Sequence, residues 1–479
     1  MNKFYLTTAI PYVNAKPHVG HALEFVQADV IKRYRKSLGD DVLLLSGADE
    51  NAIKNVQAAE KAGEEIQQFI DENSKLFQDL AKKLNIQFDV FQRGSSIQHH
   101  KASQKLWELC KHDIYKKTYT GLYCVGCELF YEKSELNENG ECFEHPGKKL
   151  DEVSEENYFF KLSKYEKQIK ELIEKDELKI YPDFRKNEVL EFLKEGLKDI
   201  SISRSNKRAK NWGVEVPGDD EQRMYVWFDA LNIYQSGVGF LDDKKQYDKW
   251  WPADLHVIGK GIIRFHAVYW PAFLLSAGLP LPKSLFVHGY FTVDGQKMSK
   301  TLGNVADPAE FIDKYGADAL RYYLLREISP FQDGDFSEKK LIEVYNSDLA
   351  NGLGNLIARV AKLCETSNFR KTKSAGNEKH ISNFDEDYKK TLSEYKFNDA
   401  LSIIWGKITR LDKFINDEKP WELAKNQNQR LKSVLEHSVD QIQEIANLLG
   451  PFLPETSEKI LRQFEVSEIK SAAPLFPRI

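Results

Sequence analysis

The sequence predicts an α/β protein in which a doubly wound parallel sheet is interrupted by a long insertion and followed by a helical bundle. Three observations predict it. Strand-like and helix-like segments alternate from residue 4 to Cys110. The alternation stops at Tyr115 and resumes at Met224. From Asp307 onward the pattern is almost wholly helical.

Length and composition agree. A chain of 479 residues exceeds one compact core, and 42% hydrophobic with 29% charged residues describes a globular protein, not a disordered one. No apolar run is long enough to span a bilayer, and the start (Met-Asn-Lys-Phe-Tyr-Leu) lacks signal-peptide architecture. Five cysteines, three of them close together, point to a reducing compartment and a metal, so we expect a cytoplasmic protein with no membrane partner. A net charge of −5 provides no global field for nucleic acid, so any such contact must use local basic patches.

Residues 4–10 (Phe-Tyr-Leu-Thr-Thr-Ala-Ile) are β-branched and aromatic and read as the first strand. Pro11 and Pro17 punctuate a tight connection, after which Val19, Leu23, Val26, Val30 and Tyr34 recur at helical spacing. Strand, turn and helix at the start are the first unit of a Rossmann-like, nucleotide-binding sheet, with ligand expected at the strand's carboxyl end. The helix opens with His18 and His21, one turn apart on one side, where backbone N–H groups and the positive dipole end favour an anion. Gly20 between them leaves room for a flat base. On the residues alone, a capped helix start with two incidental histidines reads equally well.

Residues 42–45 form a buried-strand run that ends in Ser46-Gly47-Ala48-Asp49-Glu50-Asn51, placing acidic groups where a parallel sheet presents ligand contacts. Helices over 52–62 and 65–84, a strand over 88–91 and a helix through Cys110 follow. From Tyr115 to about residue 160 hairpin-like segments carry Cys124-x2-Cys127-x14-Cys142-x2-His145. Two close pairs on tight turns present four ligands to one tetrahedral centre, as a structural Zn²⁺ requires; a redox pair is the alternative. Residues 201–212 (Ser-Ile-Ser-Arg-Ser-Asn-Lys-Arg-Ala-Lys-Asn-Trp) are the densest basic stretch, either a phosphate-contacting patch or a solvated face.

Residues 225–228 (Tyr-Val-Trp-Phe) read as a strand, with a helix starting at Asp229. Strands over 255–258 and 285–288 flank a helix over 262–277, and residues 290–297 form a hairpin turned at Asp294-Gly295. Lys297-Met298-Ser299-Lys300-Thr301 follows, two lysines flanking a short turn that can close on an anion. Helices then cover 348–362, 398–416 and 422–449, with a polar connection over 366–383.

The His18-Val19-Gly20-His21 helix start and the Lys297-Met298-Ser299-Lys300-Thr301 loop, on opposite halves of an interrupted sheet, resemble the two signatures of the class I aminoacyl-tRNA synthetases. Ala9-Ile10-Pro11-Tyr12, Trp227-Phe228-Asp229-Ala230, the stretch 256–260 (His-Val-Ile-Gly-Lys), the stretch 265–271 (Phe-His-Ala-Val-Tyr-Trp-Pro) and Lys419-Pro420-Trp421 narrow the resemblance to the methionyl-tRNA synthetases, over essentially the whole chain. The four-ligand knuckle resembles the one-zinc form of that family. The resemblance implies five regions: a catalytic half over 1–114, a zinc-knuckle insertion over 115–223, a second catalytic half over 224–326, a stem-contact connection over 327–346, and an α-helical anticodon-binding domain over 347–479. With no appended tRNA-binding or dimerisation module, a monomer is expected.

The implied activity is activation of L-methionine by ATP to methionyl-adenylate, then transfer to the 3′-terminal adenosine of tRNA(Met). Such chemistry needs positive, pre-placed groups, not a covalent nucleophile, so the histidine pair and the lysine pair are expected as two cationic clusters. His18 and His21 suit the α- and β-phosphates, and Lys297 and Lys300 the leaving pyrophosphate; Gly20 and Ser299 complete the implied ATP contacts. Mg²⁺ accompanies ATP. The implied methionine pocket is Ile10, Tyr12, Trp227, Ala230, Leu231, Tyr234 and His266, with Asp49 for the ammonium. A thioether suits an apolar, aromatic slot with a polar tip. Asn355, Arg359 and Trp421 are the implied anticodon readers; the first two share a helix face.

Three departures stand out. Asn51-Ala52 replaces the family's common His-Gly, Gly261 replaces a common aspartate, and Thr301 replaces a common serine. Synthetases of the leucine, isoleucine, valine or cysteine groups, a catalytically silent tRNA-binding relative, and a small adenylyltransferase without RNA are the competing readings.

Overall fold

The computed structural model describes residues 2–126, 129–131, 133–143, 147–297, 305–371, 386–426 and 428–479, with backbone alone at 129, 130, 134 and 297. The chain packs as two compact units, one comprising Met1–Pro17, Asp41–Asp79 and Phe88–His288, the other His18–Asp40, Leu80–Gln87 and Gly289–Ile479.

The first unit is built on six strands: β1 (Lys3–Thr8), β2 (Asp41–Ala48), β3 (Val90–Arg93), β4 (Lys179–Tyr181), β5 (Leu255–Gly259) and β6 (Ser284–His288). Their order is β3-β2-β1-β5-β6-β4, and every pairing is parallel. Strands covered on both faces must be apolar throughout. Accordingly Val42 to Ala48 of β2 is buried without a break. The order reverses between β1 and β5, which makes their carboxyl ends the ligand-binding switch point of a doubly wound sheet. A Cβ at Gly47 would collide with the Gln92 carbonyl, so only glycine lets β2 run this close to β3 before the chain turns at Asp49.

The interruption after Cys110 is a long antiparallel pair, Ile114–Cys124 with Asp151–Phe160, in register from Ile114↔Phe160 to Tyr123↔Asp151. Two features differ from the sequence reading. Strand β4 lies inside the inserted stretch yet pairs with β6 at the sheet edge; three residues are too short a run to signal a strand. Residues 225–228 are not a strand: Asp219–Met224 is extended, and Val226–Ala230 is a short helix capped at Tyr225. A short apolar run carries no period, and here burial of Val226, Trp227 and Phe228 is achieved in a helix. The basic stretch is largely engaged internally, with Arg208 paired to Glu155 at 2.7 Å, Lys210 paired to Glu60, and Arg204 buried against the Tyr225 ring.

The second unit begins with α1 (Val19–Ser37), whose Val19, Leu23, Val26, Val30 and Tyr34 are all buried, as the spacing predicts. Helices Ala317–Arg326, Asn355–Thr366, Phe397–Glu418, Arg430–Leu449 and Pro454–Phe464 dominate the remainder. Arg321 is fully buried, with its guanidinium 2.8 Å from Asp29 of α1 and donating to the carbonyls of Leu84, Pro451 and Phe452. A buried cation so satisfied is costly to strand, by about 3–5 kcal/mol if its carboxylate is removed. The hairpin Phe291–Val293 with Gln296–Lys297 turns at Asp294 (φ 49°) and Gly295 (φ 76°), the two left-handed positions a tight two-residue turn requires. The polar connection over 366–383 lies mostly outside the described residues. Among the described residues no helix is long and apolar enough to cross a membrane.

Candidate active site

In the first unit, the carboxyl ends of β1, β2 and β5 bring the expected methionine residues together. The chain after β1 holds Ile10 and Tyr12, and Tyr12 bridges to Asp49 beyond β2, where the Asp49 N–H donates to the Pro11 carbonyl at 2.9 Å. Ile10 and Tyr12 pack against the buried cluster that contains Trp227, Ala230, Leu231 and Tyr234. The Tyr12 and Trp227 rings meet edge to face at 6.3 Å, and Trp227 stacks on Phe265 at 3.6 Å and 6°.

Tyr234 and His266 are locked in the slot by hydrogen bonds. His266 Nδ1 donates to the Ile262 carbonyl (3.0 Å), so its Nε2 accepts from the Tyr234 hydroxyl (2.8 Å). Burial lowers the His266 pKa to about 4, so the ring is neutral at ordinary pH. The Tyr5 hydroxyl donates to the Tyr234 carbonyl at 2.6 Å, and His256, its pKa also pushed well down by burial, lies 4.3 Å from the Tyr234 ring. Asp49 is buried, its carbonyl accepting from the Asn55 amide.

In the second unit, His18 caps α1. Its Nδ1 accepts the Gly20 N–H (3.1 Å), while its own N–H is accepted by His21 Nδ1 (3.2 Å). The rings lie 3.9 Å apart, tilted by 31°. A nitrogen that accepts cannot carry the proton, so both imidazoles are neutral Nε2–H donors. Burial brings the His18 pKa down to about 4. The pair therefore differs from the cationic cluster that an anion site suggests: it offers oriented dipoles, not charge. The Val19 N–H, first in the helix, donates to the Ala306 carbonyl at 3.2 Å, which ties residue 306 to the start of α1. Ser299 and Lys300 lie outside the described residues, as does the Lys297 side chain, although its backbone completes the hairpin.

Cys124 and Cys142 are buried with their Sγ atoms 3.2 Å apart. That exceeds the disulfide bond of about 2.05 Å, and a tetrahedral ion with Zn–S near 2.3 Å would spread the sulfurs slightly, to about 3.8 Å. The two thiols thus fit half of a zinc site. Cys127 and His145 lie outside the described residues, and among those described no group of three or more His, Cys, Asp or Glu is placed to hold a metal. In the helical region Arg359 lies 4.9 Å from the Trp421 ring, held by Asp412 (3.1 Å) and Asn416 (2.6 Å), and Asn355 is exposed one turn before it.

The family model for class I tRNA synthetases of the methionine type matches residues 4–361. The chain belongs to the class I methionyl-tRNA synthetases. It is 43% identical to the methionine–tRNA ligase of Thermotoga maritima, over 97% of this chain and 76% of that protein. To the Brucella suis ligase it is 38% identical, over 99% and 98%. A Mycobacterium tuberculosis methionyl-tRNA synthetase solved with methionyl-adenylate superimposes with a TM-score of 0.93 at 36% identity, covering both chains fully.

Against that family pattern, the Asn51 departure is accommodated locally. Its amide donates to Asp229 Oδ2 (2.6 Å) and the Gly94 carbonyl (2.9 Å), and His100 Nε2 lies 3.2 Å from its carbonyl oxygen. His100 thus brings an imidazole to the side chain that replaces the synthetases' common histidine. Two site residues escaped the sequence reading. Phe265 was seen only as part of a motif, and nothing in its spacing shows that it stacks on Trp227. Lys54 has its ammonium 3.2 Å from the centre of the Tyr12 ring. Its signal was present: a lysine in the first turn of Ile53–Ala62 opposes the helix dipole and needs another reason to be there.

Proposed function

We infer that the chain is a methionine–tRNA ligase. A methionine carboxylate oxygen attacks the α-phosphorus of ATP, the bond to the β-phosphate bridging oxygen breaks, and pyrophosphate leaves. A ribose hydroxyl of the terminal adenosine of tRNA(Met) then takes the methionyl group and releases AMP. What supports the reading is the full-length likeness to a solved protein holding methionyl-adenylate.

In this reading Ile10, Tyr12, Trp227, Ala230, Leu231, Tyr234 and His266 hold the methionine side chain, and Asp49 takes the ammonium. The support is chemical: an aromatic slot with the Tyr234 hydroxyl committed to His266 offers a thioether polarizable contact. His18 and His21 donate to phosphate oxygens as charge moves onto them, Gly20 leaves room for the base, and Lys297 and Lys300 take the departing pyrophosphate, with Ser299 a further ATP contact. Mg²⁺ accompanies ATP and offsets its charge. Asn355, Arg359 and Trp421 read the anticodon, Trp421 by stacking an unpaired base.

One structural Zn²⁺ is assigned to Cys124, Cys127, Cys142 and His145, where it would fold the knuckle and take no part in chemistry. The five regions bounded at 114, 223, 326 and 346 follow the same reading, as do a monomeric state and a cytoplasmic location. Charging of tRNA(Met) with labelled methionine tests the function: esterification of the terminal adenosine is expected, and adenylate without charging, or neither, overturns it.

A further inference from the structure

We propose that Asn51 is a positioning residue that sets the distance between the two walls of the methionine slot, with His100 holding Asn51 in place. One wall is the strip from Asp49 to Asn51 that leaves the end of β2; the other is the short helix Val226–Ala230, which carries Trp227 and Ala230. Asn51 Nδ2 donates to the Gly94 carbonyl at 2.9 Å and to Asp229 Oδ2 at 2.6 Å. Gly94 is a fixed point, because its N–H donates to the Ala48 carbonyl at 3.0 Å and a Cβ there would stand 2.8 Å from that same oxygen. Asp229 belongs to the other wall, between Trp227 and Ala230. One amide therefore ties the sheet end to the helix.

Asn51 and Asp229 are both buried. A hydrogen bond to a carboxylate is stronger than one between neutral groups, and removing the donor leaves a buried charge poorly solvated. The amide is also held in one orientation. Its nitrogen faces two acceptors, so its oxygen faces His100, whose Nε2 carries the proton donated at 3.2 Å. Burial lowers the His100 pKa, a shift that His99 reinforces and the charges of Asp229 and Glu215 oppose, so the ring is a neutral donor at ordinary pH. His99 Nε2 also stands 3.7 Å from Asp229 Oδ2. The neighbouring Glu50 is engaged elsewhere, by Ser74, Ser95 and Arg93. This inference rests on the reading that the slot takes methionine.

The test is Asn51→Asp, which keeps the shape and puts a carboxylate where the amide met Asp229. Two carboxylates that close share one proton, and the pair's upper pKa is raised. The walls are therefore pushed apart at pH 8 and rejoined near pH 5.5, when the shared proton bridges them. Equilibrium dialysis of methionine and of its S-ethyl homologue, one methylene longer, reads the spacing, each relative to the unsubstituted protein at the same pH. At pH 8 methionine affinity is expected to fall about tenfold, and that of the longer homologue by less, because parted walls admit the extra methylene. At pH 5.5 both losses should shrink to about twofold. His100→Leu should lose about threefold without that pH dependence, and His100→Gln, which keeps a donor, should restore it.

Full affinity of Asn51→Asp at pH 8 overturns the proposal, as do equal losses for the two ligands or a loss that persists at pH 5.5. If Asn51→Asp does not fold, His100→Leu against His100→Gln decides, and equal affinities overturn it. Trp227→Ala separates the two failures. Normal methionine binding there sinks the slot reading; weakened binding there beside full affinity in Asn51→Asp sinks the clamp alone.

Discussion

The methionine slot and the start of α1 both present neutral imidazoles, yet they are built as opposites. In the slot, His266 donates through Nδ1 to the Ile262 carbonyl and accepts at Nε2 from Tyr234. At the helix start, His18 and His21 accept at Nδ1 from backbone N–H groups and keep the proton on Nε2. One arrangement makes histidine a fixed acceptor that holds a hydroxyl in place; the other makes it a fixed donor. On the proposed reading, in which the slot takes methionine and the helix start takes phosphate, the difference is what the two halves of the first reaction ask for. A side chain must be recognised by shape before anything happens, whereas phosphate oxygens need donors that strengthen as charge arrives. Backbone bonds choose the tautomer in both cases, so neither region relies on a formal charge on an imidazole.

The comparison breaks first at the helix start. His21→Ala is expected to lower the rate of adenylate formation by about 10²–10³, the cost of losing one pre-placed donor, with methionine affinity within about twofold of normal. Rapid-quench measurement of methionyl-adenylate separates rate from affinity; a change confined to affinity would erase the distinction between the two regions. Trp421→Ala, outside both, is expected to weaken tRNA(Met) by about 1–3 kcal/mol while leaving adenylate formation intact. Filter binding alongside single-turnover adenylate formation checks that the two regions act without the Pro420–Lys425 helix.

Tyr234→Phe sharpens the slot half. It strands a buried acceptor on His266, so a loss of about 1–2 kcal/mol in stability is expected, with weaker methionine binding and an unchanged ATP KM. The smallest effect is on pH. The His266 pKa falls from its ordinary 6.5 to about 4 in the folded protein because burial disfavours the charged ring. As pH drops, the unfolded chain takes the proton first, so this stabilisation is fully present above about pH 6.5 and is lost as pH falls toward 4. Between pH 7 and 5.5 the loss from this one ring is about 1 kcal/mol, with His18 and His256 adding in the same direction. Urea midpoints of the unsubstituted protein and of His266→Gln should converge as the pH is lowered; a constant gap would mean the ring titrates alike in the folded and unfolded chain.

The regular parts of this molecule were open to reading from sequence because period and burial agree in them. The buried face of α1 is spelled out by Val19, Leu23, Val26, Val30 and Tyr34, and β2 by the apolar run from Val42 to Leu45. Where a segment is short, the period disappears. Tyr225 to Phe228 looks extended and is helical, and Lys179–Tyr181 looks like nothing and is a sheet strand. In the site, residue types were legible and states were not. His18 and His21 are visible as a pair, but their neutrality depends on two backbone N–H groups that only the folded cap supplies. Lys54 was overlooked because its partners, Tyr12 and Gly126, are 42 and 72 residues away and no local pattern joins them.

Amino-acid-dependent exchange of pyrophosphate into ATP tests the proposed function most directly. Exchange with L-methionine, weak or absent with leucine, isoleucine, valine and cysteine, and reduced about 10²–10³ in His21→Ala, is what it predicts. Preference for another of these amino acids, or full exchange without the His21 imidazole, would contradict it.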